Sequence, residues 1–79
     1  FCCSGTGACM AANNVKGARA ALCVSTEIAA IARKWNDANI LVMGNSNTSN
    51  ENAKGIIDTW FVTPFDEEGL NQAHKLDNL

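Results

Sequence analysis

Three short apolar stretches alternate with helical patterns along this chain, and that alternation restricts the possible folds more than any other feature. The stretches are Phe1–Cys3, Ala18–Val24 and Ala38–Met43. Each is apolar almost throughout, which is typical of strands that are buried on both faces of a sheet. Such strands, separated by helices, predict the α/β class, with a doubly wound, Rossmann-like parallel sheet covered by helices on both faces.

The segments between these strands carry the signals of helices. Ala8–Asn14 is rich in alanine, and Gly17 can take the left-handed conformation that ends a helix. Ser25 and Ser49 are predicted N-caps of the next two helices. Apolar residues spaced three and four apart follow each cap and define one helical face. They are Ile28, Ile31, Ala32 and Trp35 after the first cap, and Ala53, Ile56, Ile57, Trp60 and Phe61 after the second.

The domain organisation follows from the number of strands. Three strands are few for a stable doubly wound sheet, and Phe1 has the character of the middle of a strand. Either a partner completes the sheet or its remaining strands lie upstream. We expect the latter, with residues 1–65 as the second half of a single α/β domain. Residues 66–79 are polar with a weak helical pattern. They predict a C-terminal helix or tail that docks on the domain or on a partner subunit.

Composition narrows the class of protein. The 79 residues include only six Lys and Arg and carry a net charge of −2, which argues against a nucleic-acid partner. The four cysteines form neither a disulfide framework nor a Cys-x-x-Cys zinc pair, so we expect a reducing, cytoplasmic compartment. The lone His74 completes no metal-ligand set. No apolar run reaches the length of a membrane span, so no membrane partner is expected.

The Gly5-Thr6-Gly7 turn, between the first strand and the first helix, is the main candidate site. The unpaired N–H groups and the positive dipole end of a helix N-terminus hold anions, and glycines let a ligand approach the backbone. In an open α/β sheet such a turn lies at the carboxyl edge of the strands, where ligands bind. A purely structural turn is the alternative. The dinucleotide fingerprint G-x-G-x-x-G is not met, because Met10 stands at its third glycine.

Three blocks together resemble the family of ribose-5-phosphate isomerase B and galactose-6-phosphate isomerase. They are SGTGACMAANNVKGARAALC, ARKWNDANILVMG and AKGIIDTWFVTPF, which occupy residues 4–23, 32–44 and 53–65. The resemblance implies a doubly wound domain that forms homodimers or homotetramers, with active sites near the subunit boundary. It implies interconversion of an aldose phosphate and a ketose phosphate through an enediolate, with a phosphorylated sugar as substrate and no metal or cofactor.

The resemblance also assigns roles to residues of this chain. Ser4 stands at the position of the family's catalytic base, which is typically a cysteine, and Thr6 matches a threonine that holds the substrate. The backbone amides of Gly5, Thr6, Gly7 and Ala8 would stabilise the negative oxygen of the enediolate. Asn36 matches an asparagine that touches the sugar.

Several positions depart from the family pattern. A hydroxyl is far harder to deprotonate than the thiol it replaces at Ser4. Trp35 stands where a histidine helps to open the sugar ring, and Gly69 and Ala73 stand where two arginines grip the phosphate. The segment after Gly7 is also about two residues shorter than the usual pattern.

Two functional hypotheses therefore remain open. The chain belongs either to a sugar-phosphate isomerase or to a catalytically degenerate relative that binds a sugar phosphate or serves as a partner subunit. An isomerase for a non-phosphorylated or larger sugar is a third possibility. Ser4 is correspondingly either a catalytic residue or a turn residue that bonds nearby backbone.

Overall fold

The computed structural model describes residues 1–66, which form three α-helices, two strands and one short 3₁₀ helix. In chain order these are α1 (Thr6–Asn13), β1 (Ala20–Leu22), α2 (Thr26–Lys34), β2 (Ile40–Val42), the 3₁₀ helix (Asn45–Asn47) and α3 (Asn50–Val62). No helix within this part of the chain is long and apolar enough to cross a bilayer.

The strands are parallel, as the sequence predicts, but shorter than the apolar runs that contain them. Ala20 lies opposite Ile40, and Leu22 opposite Val42. The predicted first strand is reduced to a single parallel bridge between Cys2 and Gly44. This bridge lies two residues beyond the end of β2.

β2 lies between β1 and the beginning of the chain. The Val42 carbonyl accepts a hydrogen bond from the Cys23 N–H, and the Met43 carbonyl accepts one from the Cys2 N–H, both at 3.0 Å. Successive carbonyls of a strand point to opposite neighbours. The order across the sheet is therefore residue 2, then β2, then β1.

This order places helices on both faces of the sheet. The chain passes from residue 2 across β2 to β1 by way of α1, and then returns from β1 to β2 by way of α2. Crossovers between parallel strands are right-handed, so connections that run in opposite directions put their helices on opposite faces. α1 packs against the strands, whereas α2 and α3 pack against each other. The predicted doubly wound α/β arrangement is confirmed.

Both predicted serine caps are confirmed. The Ser25 hydroxyl accepts a hydrogen bond from the Ile28 N–H at 3.2 Å, and the Ser49 hydroxyl accepts one from the Asn52 N–H at 3.1 Å. Each bond satisfies one of the backbone donors that the first turn of a helix leaves unpaired. Gly17 has a φ of 85°, the left-handed conformation expected of it.

The main core lies where α2 and α3 face the sheet, and it corrects part of the predicted helical faces. Its buried members are Cys23, Ala29, Ala32, Ala38, Met43, Ala53, Ile56 and Trp60. Ile28 and Ile31 are exposed because α2 turns the small side chains of Ala29 and Ala32 inward, which lets α3 approach closely. Phe61 is 80 % exposed, because residues 53, 56 and 60 already define the inward face of α3.

Candidate functional site

The strand order creates a topological switch point at the carboxyl edge of the sheet. Residue 2 and β2 are neighbours, yet the helices that follow them, α1 and α3, lie on opposite faces. In open α/β sheets the crevice at such a point is where ligands bind. Two segments border it here: residues 3–7, which lead into α1, and Gly44–Asn47, which follow β2. The turn singled out from the sequence therefore lies at the place that the topology favours for a ligand.

Gly5 makes the sharp entry into α1 possible. It is buried and has a φ of 87°, a conformation that side-chain-bearing residues rarely adopt. A Cβ at this position would overlap the Leu22 Cδ1 atom and would lie 3.3 Å from the Gly44 nitrogen. The helix consequently begins at Thr6, two residues earlier than the sequence suggests, and Thr6 and Gly7 belong to its first turn rather than to a separate loop.

The first turn of α1 leaves backbone N–H groups without a carbonyl partner. The first bond of the helical ladder runs from the Cys9 N–H to the Gly5 carbonyl at 3.0 Å. The N–H groups of the residues before Cys9 have no carbonyl partner within the helix. Gly5 is the N-cap, and no side chain there accepts a hydrogen bond from them. Their direction and the helix dipole suit a negatively charged group.

Cys2 lies against these donors, which the sequence did not indicate. The N–H groups of Gly5 and Ala8 favour the thiolate and hold the pKa of the Cys2 thiol below its ordinary value. The sequence predicts Cys2 only as part of the first strand, Phe1–Cys3. Cys2 comes close to the N–H groups of α1 because the turn at Gly5 directs this helix back over residue 2.

Ser4 and Thr6 are adjacent in the structure. Their hydroxyl oxygens are 2.9 Å apart, and both residues are exposed. The site residues predicted near the turn (Ser4, Gly5, Thr6, Gly7 and Ala8) are therefore brought together. The hydroxyl partner of Ser4 is neutral, so nothing in this contact withdraws the Ser4 proton.

Asn36 lies near the amino ends of the strands, whereas the turn at Gly5 lies near their carboxyl ends. It follows the end of α2, and the segment after it is tied to the start of β1, because the Asn39 N–H donates to the Arg19 carbonyl at 2.9 Å. From Ile40 to Gly44 alone, an extended chain spans about 13 Å. The chain therefore does not bring its own Asn36 to its own Ser4.

Other residues discussed from the sequence also lie away from the turn. Trp35 is half-buried, and the Lys34 ammonium lies 4.9 Å from the centre of its ring. Arg19 forms an ion pair of 3.1 Å with Asp37, at the same edge as Asn36. Gly69, Ala73 and His74, and with them the predicted tail, lie outside the described residues. Among residues 1–66, no three or more His, Cys, Asp or Glu side chains cluster so as to hold a metal ion.

Comparison with known proteins agrees with this architecture. A model of the Ribose/Galactose Isomerase family matches residues 1–79. The chain is 42 % identical over 80 residues to a probable ribose-5-phosphate isomerase B of Mycoplasma genitalium, covering all of this chain and 51 % of that protein. It is 40 % identical over 79 residues to a D-erythrulose-4-phosphate isomerase of Pectobacterium atrosepticum, again with 51 % of the relative covered.

Solved structures give the same result. Ribose 5-phosphate isomerase B from Thermotoga maritima matches with a TM-score of 0.91 and 40 % identity, over 99 % of this chain and 55 % of that one. The Mycoplasma genitalium enzyme with bound ribulose-5-phosphate matches with a TM-score of 0.90 and 35 % identity, over 98 % and 51 %. The chain thus spans about half the length of the relatives it matches. By sequence and by fold, it belongs to the ribose/galactose isomerase family.

Proposed function

We propose that the protein carrying this chain is an isomerase that interconverts an aldose phosphate and a ketose phosphate. The observation that carries the proposal is the set of N–H groups without carbonyl partners at the start of α1. They lie at the switch point of a fold whose relatives are named as sugar-phosphate isomerases. Ribose 5-phosphate and ribulose 5-phosphate are the first pair to test, because ribulose-5-phosphate is bound in a matching structure.

The proposed reaction moves one proton between neighbouring carbons. A base removes the proton from C2 of the open-chain aldose, and the electron pair of that C–H bond forms a C1–C2 double bond while the C1 carbonyl oxygen becomes negative. The amides of Gly5, Thr6, Gly7 and Ala8 would hold this oxygen, and one such donor typically lowers the barrier by a few kcal/mol. The O2 proton then moves to the negative O1, and return of the first proton to C1 gives the ketose.

Ser4 is the proposed base, and Thr6 the residue that orients it. Their 2.9 Å contact keeps the Ser4 hydroxyl beside the amides of the turn. A serine hydroxyl needs a partner that accepts its proton, and Thr6 is neutral. The complete protein would have to supply that partner from outside residues 1–66.

Asn36 would enter the site from a second copy of the chain. It lies at the opposite edge of the sheet from Ser4, so contact with the same sugar requires two subunits. The outer face of α2 supports this arrangement, because Ile28 and Ile31 are adjacent on it and are 41 % and 49 % exposed. A second subunit that covers this apolar face would carry Asn36 to the neighbouring site.

A second candidate function is a relative that binds a sugar phosphate without converting it. The neutral partner of Ser4 favours it, since the described residues bring no acid or base into hydrogen-bond contact with that hydroxyl. The anion-binding amides serve this function equally well. The two candidates differ only in proton transfer, which can be measured directly.

Isotope exchange separates the two functions. The protein expressed from its complete coding sequence is incubated in heavy water with ribose 5-phosphate and then with other sugar phosphates, and NMR follows the proton at C2. The isomerase function predicts exchange that is lost in Ser4→Ala. Exchange that survives in Ser4→Ala but is lost in Cys2→Ser would move the base to Cys2. Absence of exchange with any sugar, together with line broadening from binding, would establish the binding function instead.

A further inference from the structure

The Gly44–Asn47 segment borders the other side of the switch point, and it is bonded to the residues that lead into the turn. We propose that Ser46 is a positioning residue for Ser4: it holds the Cys3 carbonyl and so sets the direction in which Ser4 faces a substrate. This inference rests on the isomerase function proposed above, and it adds a residue that neither the motif nor the family resemblance indicated.

Ser46 makes two hydrogen bonds to one acceptor. Its backbone N–H donates to the Cys3 carbonyl at 3.0 Å, and its hydroxyl donates to the same oxygen at 2.7 Å. The hydroxyl contact joins residues 43 positions apart in the sequence. One residue earlier, the Asn45 N–H donates to the Cys2 carbonyl at 2.7 Å.

These bonds fix Ser4 because a peptide group is planar. The Cys3 carbonyl and the Ser4 N–H belong to the same peptide plane, so a carbonyl held by Ser46 also holds the direction of the Ser4 N–H. The peptide group on the other side of Ser4 is confined as well. A Cβ on Gly44 would lie 2.5 Å from the Ser4 carbonyl oxygen and 2.7 Å from its carbon, so the two backbones are in close contact there.

The contact is separate from what holds the fold together. Ser46 is exposed, and its hydroxyl bond belongs neither to the sheet ladder nor to the buried core. Loss of the hydroxyl leaves the backbone N–H bond in place, so the chain still folds while the Cys3–Ser4 peptide gains freedom to rotate. A reaction that depends on orientation is sensitive to such a change, because small displacements of a catalytic group reduce its rate strongly.

The test compares Ser46→Ala with Ser46→Thr, which restores the hydroxyl, and with Thr48→Val as a matched control. The Thr48 hydroxyl contacts the Asn47 side chain at 3.4 Å rather than the residues before the turn. The protein expressed from its complete coding sequence is assayed for kcat and KM with ribose 5-phosphate. Backbone amide NMR signals of Ser4 and Gly5 are recorded for the same variants without substrate.

We expect kcat to fall about tenfold in Ser46→Ala with KM within twofold of the unmodified protein, since the loss of one hydrogen bond typically has this size. Ser46→Thr should recover most of the rate, Thr48→Val should leave kcat unchanged, and the Ser4 and Gly5 signals should move only in Ser46→Ala. Equal kcat in Ser46→Ala and Thr48→Val would overturn the proposal.

Failure of the proposed function is recognised separately. If the unmodified protein does not isomerise any sugar phosphate, the amide NMR signals still test whether Ser46 positions Ser4. Shifts at Ser4 and Gly5 in Ser46→Ala that exceed those in Thr48→Val support the positioning of Ser4 by Ser46. Shifts that do not exceed those in Thr48→Val overturn it.

Discussion

The Ser4 hydroxyl oxygen lies 2.9 Å from the Thr6 hydroxyl oxygen, at the entry to α1. Because Thr6 is the first residue of the helix, its position is fixed by the backbone hydrogen bonds of that helix. Ser4 is therefore oriented by a neighbour that belongs to a regular element, although Ser4 itself lies in a bend.

Replacement of Thr6 by valine tests this orientation. Valine keeps the branched shape but lacks the hydroxyl, so we expect C2 proton exchange to slow about tenfold, as for the loss of one hydrogen bond. Thr6→Ser keeps the hydroxyl and should retain most of the rate. Exchange measured by NMR in heavy water gives both values. Equal rates in the valine and serine variants would show that the contact does not orient Ser4.

The two glycines of the turn should respond differently to alanine. Gly5→Ala forces a Cβ into a left-handed conformation and against Leu22, so the free energy of unfolding should fall by roughly 3 kcal/mol. A Cβ on Gly7 meets no atom within 4 Å, and alanine is the better helix former. Gly7→Ala should therefore leave stability unchanged or raise it by up to about 1 kcal/mol.

Urea denaturation of the two variants measures this contrast. The pair forms a matched control, because both substitutions add one methyl group to the same turn. A Gly5→Ala variant as stable as Gly7→Ala would contradict the tight packing of Gly5 against β1.

The thiols of Cys2 and Cys23 should differ in reactivity with pH. The N–H groups of Gly5 and Ala8 lower the pKa of Cys2, so the midpoint of its alkylation rate by iodoacetamide against pH should lie below that of an ordinary thiol. Burial raises the pKa of the fully buried Cys23 to about 11, and the nearby Cys9 thiol adds to the effect. Cys23 should stay unlabelled at neutral pH until the protein is denatured.

Mass spectrometry of the labelled cysteines follows each site over a range of pH. Cys3→Ser serves as the control, because it removes an exposed neighbouring thiol and should leave the labelling of Cys2 unchanged. A Cys2 profile with its midpoint at or above that of an ordinary thiol would show that the amides do not stabilise its thiolate.

Mixed subunits test whether Asn36 acts on the site of a second copy. Ser4→Ala and Asn36→Ala should each reduce isomerisation when present in every subunit. In a hybrid dimer of the two variants, one site combines an intact Ser4 with an intact Asn36. Unfolding and refolding the mixture should therefore restore part of the activity, measured as ketose formed. No recovery in a mixture shown to contain hybrids would place Asn36 outside the shared site.

The sequence alone determined the fold class and the main local signals. The apolar runs indicated buried parallel strands, and Ser25 and Ser49 marked helix starts through hydrogen bonds to residues three positions along the chain. Such features depend on residues a few positions apart, so they can be recognised without knowledge of the tertiary structure. The blocks that resemble the isomerase family identified the lineage for a similar reason, since they retain the residue pattern of that family.

Only the tertiary structure decided how the site is assembled. The bond between Ser46 and Cys3, the position of Cys2 over the amides of Gly5 and Ala8, and the separation of Asn36 from Ser4 all follow from the order of strands. That order depends on the side of β2 with which each segment pairs. The spacing of residues along the chain does not indicate this choice. Long-range pairing is selected by packing and right-handed connection, so it becomes visible only in the folded chain.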